Sequence, residues 1–233
     1  LSMVDSSIGG KTGVDFKCYK NMVGAFYQPQ AVYINLSVLD TLPNREFYSG
    51  FGEIIKHGCI LDEKYYDSLT RNYLEVLNRD YEALEAVVYG SCVIKQGVVE
   101  ADPTEQNQRA LLNFGHTIGH SIERFMNFSL LHGECVALGM VAAAYISCRR
   151  CYISEDMRDN IISFIKKYHL PVSFHSDKDH EKTLEELVAI TKHDKKMDSG
   201  QVKFILLKKN GNAFVDRSVT EEELKEAIAF IME

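Results

Sequence analysis

No run of lysine and arginine long enough to grip a polyanion occurs in these 233 residues, and 26 basic against 33 acidic side chains leave a formal charge of −7. The field of the whole chain therefore repels nucleic acid and anionic membrane. A membrane-length apolar run is also missing. The longest candidate, Val136 to Cys148, is shorter than the roughly 20 residues a spanning helix needs, and Glu134 and Arg149-Arg150 flank it. It reads as a buried core helix. Four prolines and fifteen glycines are too few for collagen or a low-complexity chain, and 45% hydrophobic content supplies a core for one large domain or two small ones. A disulfide framework is absent too: Cys18, Cys59, Cys92, Cys135, Cys148 and Cys151 are scattered, mostly in helical or apolar contexts, as expected of reduced thiols in a cytoplasmic protein. Cys148-Arg-Arg-Cys151 has redox or metal spacing, but no second pair accompanies it.

What is present is mostly helical periodicity. Apolar residues recur at three and four spacing near 44–57, 63–77, 80–100, 113–127, 133–150, 155–168, 181–193 and 221–232. Ser154 before Glu155-Asp156, and Thr220 with Glu223, read as helix starts. Residues 5–29, punctuated by Gly9-Gly10, Gly13 and Gly24, read as loop, followed by a β-rich stretch at Ala31 to Leu36. Val202 to Leu207, Asn210-Gly211 and Ala213 to Val215 read as a hairpin. The expected fold is mainly α: one multi-helix bundle domain over 1–233, with an N-terminal glycine-rich loop and a short β-hairpin near the C-terminus. The chain opens on Leu1-Ser2 and enters dense motif within five residues, which reads as a piece of a longer protein.

Two groups of residues carry chemistry. In Asn113-Phe-Gly-His116-Thr-Ile-Gly-His120 the imidazoles stand four apart on one helical face, a spacing at which both can reach one metal. His132-Gly-Glu134 offers a further nitrogen where the next apolar helix begins. Glu53 and Lys56, with His57, lie inside an apolar helix where charges need a partner or an ion, and Glu53 is the natural oxygen ligand. Taken singly, such residues are more often hydrogen-bonded core or surface pairs. The second group is cationic: Lys11 in Ile-Gly-Gly-Lys-Thr-Gly, Lys20-Asn21, Lys56, Lys95, Arg109 and Lys195-Lys196. Lysines set among glycines or apolar residues of an acidic chain point to an anionic substrate. Gly9-Gly10-Lys11-Thr12 lacks the spacing of a nucleotide phosphate loop and reads instead as a loop bringing a lysine and backbone amides to a phosphate or carboxylate.

The ordered motifs Asp5-Ser-Ser-Ile-Gly-Gly-Lys-Thr-Gly13, Lys20-Asn-Met-Val-Gly-Ala-Phe-Tyr-Gln-Pro29, Glu53-Ile-Ile-Lys56, Asn113 to His120 and His132-Gly-Glu134 make the chain resemble the 3-dehydroquinate synthase family, over the C-terminal two-thirds of that family's length. The resemblance implies Zn²⁺ or Co²⁺ held by Glu53, His116 and His132, with His120 contacting substrate. It implies a substrate shell of Asp5, Lys11, Lys20, Asn21, Lys56, Lys95, Arg109, Asn113 and one of Lys195 or Lys196. Lys11, Asn21, Asn113 and His120 would face a phosphate, and Arg109 a carboxylate. The implied reaction converts 3-deoxy-D-arabino-heptulosonate 7-phosphate to 3-dehydroquinate and phosphate. NAD is the implied cofactor, approached here by Lys11 and Lys20 and otherwise held by an N-terminal domain, so that the chain alone would be inactive. A homodimer is implied for the full-length protein. The alternatives are another sugar phosphate cyclase, of 2-deoxy-scyllo-inosose or valiolone type, and a helical module with a structural metal.

Overall fold

The computed structural model describes residues 1–16, 19–105, 108–195 and 202–233, with the side chains of 15–22 and 193–195 outside the description. In chain order it contains α1 (Met3–Ser6), β1 (Lys11–Phe16), β2 (Tyr19–Phe26), a 3₁₀ turn at Leu36–Leu39, α2 (Asn44–Ser49), α3 (Phe51–Leu61), α4 (Glu63–Arg71), α5 (Tyr73–Leu77) and α6 (Tyr81–Ala101). A second 3₁₀ turn at Gln108–Asn113 leads to α7 (His116–Phe125), α8 (His132–Arg149), α9 (Glu155–Lys167) and α10 (His180–Lys195). The hairpin β3 (Phe204–Lys209) and β4 (Asn212–Asp216) follows, then α11 (Glu221–Phe230). The fold is mainly helical, as the periodicity predicts.

Helix α8 is the axis. Its residues from Cys135 to Ala144 are buried on every face, because α7, α3, α9, α11 and β3 all pack on it. Its start is fixed by Glu134, whose Oε2 accepts the Leu131 N–H at 2.8 Å, while Arg45 of α2 grips both carboxylate oxygens at 2.7 and 2.8 Å. Ser154 caps α9 through the Met157 N–H, and Thr220 and Glu223 form a reciprocal capping box on α11. The β3–β4 hairpin pairs Phe204 with Asp216 and turns at Gly211, whose φ of +73° suits glycine. Ser147 of α8 holds it by accepting the Leu207 N–H at 3.0 Å.

Three readings change. Residues 5–29 are not a loop throughout: α1 is followed by an antiparallel ribbon with Lys11 opposite Phe26 and Gly13 opposite Gly24. The glycines that made this stretch look irregular are where the strands come closest, since a Cβ on Gly24 would collide with the Thr12 carbonyl oxygen. Ala31 to Leu36 forms no strand, since no neighbouring chain pairs with it, and Tyr33 is 91% exposed. The predicted helices at 44–57 and 63–77 are divided at Gly50 and Asn72, and the one predicted at 113–127 starts only at His116, after a 3₁₀ turn that ends at Asn113.

Candidate metal and substrate site

Three helix starts meet at one point. Glu53 lies in the first turn of α3, His116 is the first residue of α7 and His132 the first of α8. Glycines let them meet. A Cβ on Gly139 would run into the Gly115 carbonyl oxygen, and one on Gly52 would sit 2.5 Å from that of Gly133, so α8 can lie directly against both α7 and α3. Glu53 Oε1 is 3.3 Å from His116 Nε2 and 3.3 Å from His132 Nε2. Ligands bound tetrahedrally at about 2.0–2.1 Å stand about 3.3 Å apart, so these atoms already span the edges of such a polyhedron. His116 Nδ1 lies 3.1 Å from the Phe114 carbonyl oxygen; donating there leaves Nε2 for the ion. His132 Nδ1 is 3.8 Å from Glu123 Oε1. Burial alone would lower the His132 pKa, but hydrogen bonding to Glu123 and Glu53 carries it up to about 9. One carboxylate and two imidazoles leave coordination positions open for substrate oxygens.

Behind these side chains lies a charge cluster whose lysines are buried. Lys56, 1% exposed, pairs with Glu53 Oε2, and Lys95, 6% exposed, contacts Asp5 through Oδ1 at 2.6 Å and through its carbonyl oxygen. Burial opposes charge on Glu53, yet Lys56 and the imidazoles hold its carboxyl well below the usual range. His57 is fully buried against Ser91 Oγ at 2.6 Å; desolvation, then Lys56, lowers its pKa to about 3 and keeps it neutral.

The anion side is built differently. Lys11 reaches from β1 to Glu105 Oε2, and Asn113 Nδ2 donates to Glu105 Oε1 at 3.1 Å. Burial, then the charges of Arg109 and Lys95, push Lys11 down to about 8. Arg109, 2% exposed, donates from one terminal nitrogen to Pro103 O and from the other to Gly9 O, both at 2.8 Å. It therefore pins the Gly9-Gly10 turn, where both glycines have positive φ, beside Lys11.

The structure thus gathers Glu53, His116 and His132, sets Asp5, Lys56 and Lys95 behind them, and places Lys11 and Asn113 on one carboxylate. His120 is exposed on the rim, its ring 5.1 Å from that of His116 and 5.9 Å from that of His132. Spacing alone pairs His116 with His120, whereas the group that converges with Glu53 takes its second imidazole from the start of α8, His132. Lys20 and Asn21 lie on β2 with side chains outside the description; the Lys195 side chain and the whole of Lys196 also lie outside it. Sequence reasoning missed Glu123 and Glu105. Glu123 had a signal, standing seven residues after His116 on the same stripe. Glu105 had none, for its φ of +59° is a backbone choice made by the loop that Arg109 ties down.

Residues 50–197 match the 3-dehydroquinate synthase C-terminal family and residues 1–49 the 3-dehydroquinate synthase N-terminal family. The 3-dehydroquinate synthase of Acetivibrio thermocellus is 42% identical over all of this chain and 64% of its own length, and that of Ruminiclostridium cellulolyticum is 44% identical over 92% and 58%. The chain thus spans about three-fifths of the length of these relatives. Among solved structures, 2-epi-5-epi-valiolone synthase from Streptomyces hygroscopicus subsp. jinggangensis, with NAD⁺ and Zn²⁺ bound, superposes with a TM-score of 0.89 at 25% identity, covering 99% of this chain and 63% of that one. A 2-deoxy-scyllo-inosose synthase complexed with carbaglucose-6-phosphate, NAD⁺ and Co²⁺ gives 0.82 at 26%, covering 97% and 64%. Glycine-closed helix starts, converging ligands, the sequence matches and the cyclase fold lead to one assignment: the chain belongs to the 3-dehydroquinate synthase family.

Proposed function

We propose that this chain forms the metal- and substrate-binding part of a 3-dehydroquinate synthase, which converts 3-deoxy-D-arabino-heptulosonate 7-phosphate to 3-dehydroquinate with loss of phosphate. The observation that carries the reading is the convergence of Glu53 Oε1 with His116 and His132 at 3.3 Å, bordered by Lys11, Asn113 and Arg109. The 42–44% identity to curated 3-dehydroquinate synthases, against 25–26% to the two other cyclases, favours this substrate over theirs. Glu53, His116 and His132 would hold zinc or cobalt. When bound, that ion polarises a substrate oxygen and acidifies the neighbouring C–H.

The side chains do the rest of the work. Lys56 keeps Glu53 ionised and oriented. Lys11 and Asn113 present donors to the phosphate, with Asn21 and His120 completing its shell; for this the phosphate must replace the Glu105 carboxylate that both Lys11 and Asn113 now hold. A guanidinium has five N–H donors, and Arg109 spends two on Pro103 and Gly9, leaving others for the substrate carboxylate. Lys95 fixes Asp5 at the floor; by the family resemblance Lys195 or Lys196 would be a further substrate contact. Holding the substrate between an ion and these cations orients it for elimination and later ring closure. No glycine-rich turn between a strand and a helix occurs among the described residues to cradle a pyrophosphate, so no NAD-dependent step is assigned to them; the family resemblance makes Lys11 and Lys20 the residues of this chain that would approach that cofactor. Calorimetry of this chain with NAD is expected to show no saturation at micromolar concentration, and micromolar affinity would overturn that division of labour.

The reading also carries the family's homodimer, to be checked by sedimentation of the full-length protein, and a cytoplasmic location; no described helix is long and apolar enough to cross a membrane. Phosphate release by the full-length protein from the heptulosonate phosphate, and not from glucose 6-phosphate, is the expected result. The reverse preference would assign a different cyclase reaction.

A further inference from the structure

The stripe of α7 that begins with His116 runs on through His120 to Glu123, and the start of α8 faces all of it. Two donor groups consequently share His132: Glu53, His116 and His132 in one, His120, Glu123 and His132 in the other, the ligand atoms of each lying within 4.8 Å of one another. They call on opposite edges of the shared ring. Nε2 faces Glu53 at 3.3 Å, whereas Nδ1 faces Glu123 Oε1 at 3.8 Å. We propose that His120, Glu123 and the Nδ1 edge of His132 form a second, outer site for a zinc-like dication, placed at the mouth of the inner one.

The chemistry selects the ion. Two imidazoles and one carboxylate suit Zn²⁺ or Co²⁺, not the all-oxygen preference of Mg²⁺ or Ca²⁺. Glu123 is 5% exposed, a burial that carboxylates tolerate when a cation or hydrogen-bond donors balance them. The 3.8 Å edge needs only a small closure to reach the tetrahedral spacing of about 3.3 Å. A further convergent group, Asp5, Glu53 and His57, is unsuitable, since Lys95 and Lys56 already place ammonium groups on its two carboxylates. With the inner ion on Nε2, His132 Nδ1 carries the ring proton, so the outer ion binds only as that proton passes to solvent and leaves a bridging imidazolate; this, the repulsion between the two ions and the exposure of His120 and His132 make the outer ion the weaker one. In the proposed function His120 contacts the substrate phosphate; on that reading, excess zinc competes with substrate.

Metal stoichiometry tests the site without depending on turnover. Co²⁺ titration of the chain, followed by visible absorption and equilibrium dialysis, is expected to show a tight equivalent and a weaker second one. His120→Ala, an exposed substitution that spares the core, should leave the first and weaken the second by at least about tenfold. Glu123→Gln should also weaken the second, and Glu53→Gln should abolish the first while sparing the second. Saturation at one equivalent up to millimolar Co²⁺ overturns the proposal, as does a second equivalent that survives both His120→Ala and Glu123→Gln unchanged. If Glu123 served only to orient His132, Glu123→Gln would weaken the first equivalent and His120→Ala would change nothing, which also refutes it. Loss of the inner equivalent in native protein would instead count against the family-type centre.

Discussion

The metal side and the anion side of the site are neighbours made in opposite ways. Glu53, His116 and His132 each sit at the start of a helix, and those helices are locked together by backbone contacts that only glycine permits. Lys11, Asn113, Glu105 and Arg109 sit on a ribbon, a 3₁₀ turn and the loop before it, and their positions are set by pairing with one another. The first side is preorganised for a cation by packing. The second already contains an anion of its own, so under the proposed function an incoming phosphate would exchange for Glu105. One side is held by close helix packing, the other by charge pairs between its own side chains.

The contrast can be tested hardest at Glu53. Glu53→Gln leaves Lys56 buried without its counter-charge and removes the shared oxygen ligand, so a loss of about 3–5 kcal/mol in denaturant unfolding is expected, together with loss of metal by elemental analysis. Retained zinc in a folded variant would show that packing alone does not define the metal side. Next is Gly139→Ala, whose Cβ meets the Gly115 carbonyl oxygen. Overpacking there should cost about 1–3 kcal/mol and lower metal affinity by shifting α7 from α8; an unchanged urea midpoint would contradict the locked-helix account.

Smaller effects are expected on the anion side. Lys11→Met should weaken inorganic phosphate binding about tenfold, the scale of one charge-assisted contact of about 1.5 kcal/mol, with little change in unfolding. The pH dependence has a definite sign. Because the Lys11 pKa is lowered to about 8, its positive charge is complete below that value and lost as pH rises through it, so phosphate affinity measured calorimetrically should decline above about pH 8 in the native chain and stay flatter in Lys11→Met. A profile identical in both would assign the titration to another group. The smallest effect lies away from the site, at Glu223, which Arg150 grips through two hydrogen bonds and holds near a pKa of about 2. Its contribution is present above the ordinary carboxylate range and disappears as pH falls toward about 2. Glu223→Gln should cost about 1 kcal/mol or less at neutral pH, and the difference from native protein should vanish in acid.

Much of this was legible in residue order. The Val136 to Cys148 run could only be a buried helix, and Ser154, Thr220 and Asn210-Gly211 announced their caps and turn through local chemistry that needs no distant partner. That Glu53, His116 and His132 should come together was suggested by the resemblance, not by spacing. Four-residue separation on α7 ties His116 to His120, whereas Glu53 and His132 join His116 across 63 and 16 positions of chain, by arithmetic on their residue numbers. The Ala31 to Leu36 stretch shows the converse: its residues are β-rich, but a strand exists only with a neighbour to bond.

Local order therefore determined the helices, their caps and the residue types available for chemistry, because helix hydrogen bonds and capping act within a few residues. Tertiary structure decided which donors meet, that Arg109 holds the Gly9 turn, that Glu105 occupies the anion side, and that His132 offers one ring edge to each of two groups. These depend on how closely α3, α7 and α8 approach, a distance set by glycines and carbonyl oxygens that lie far apart in the chain.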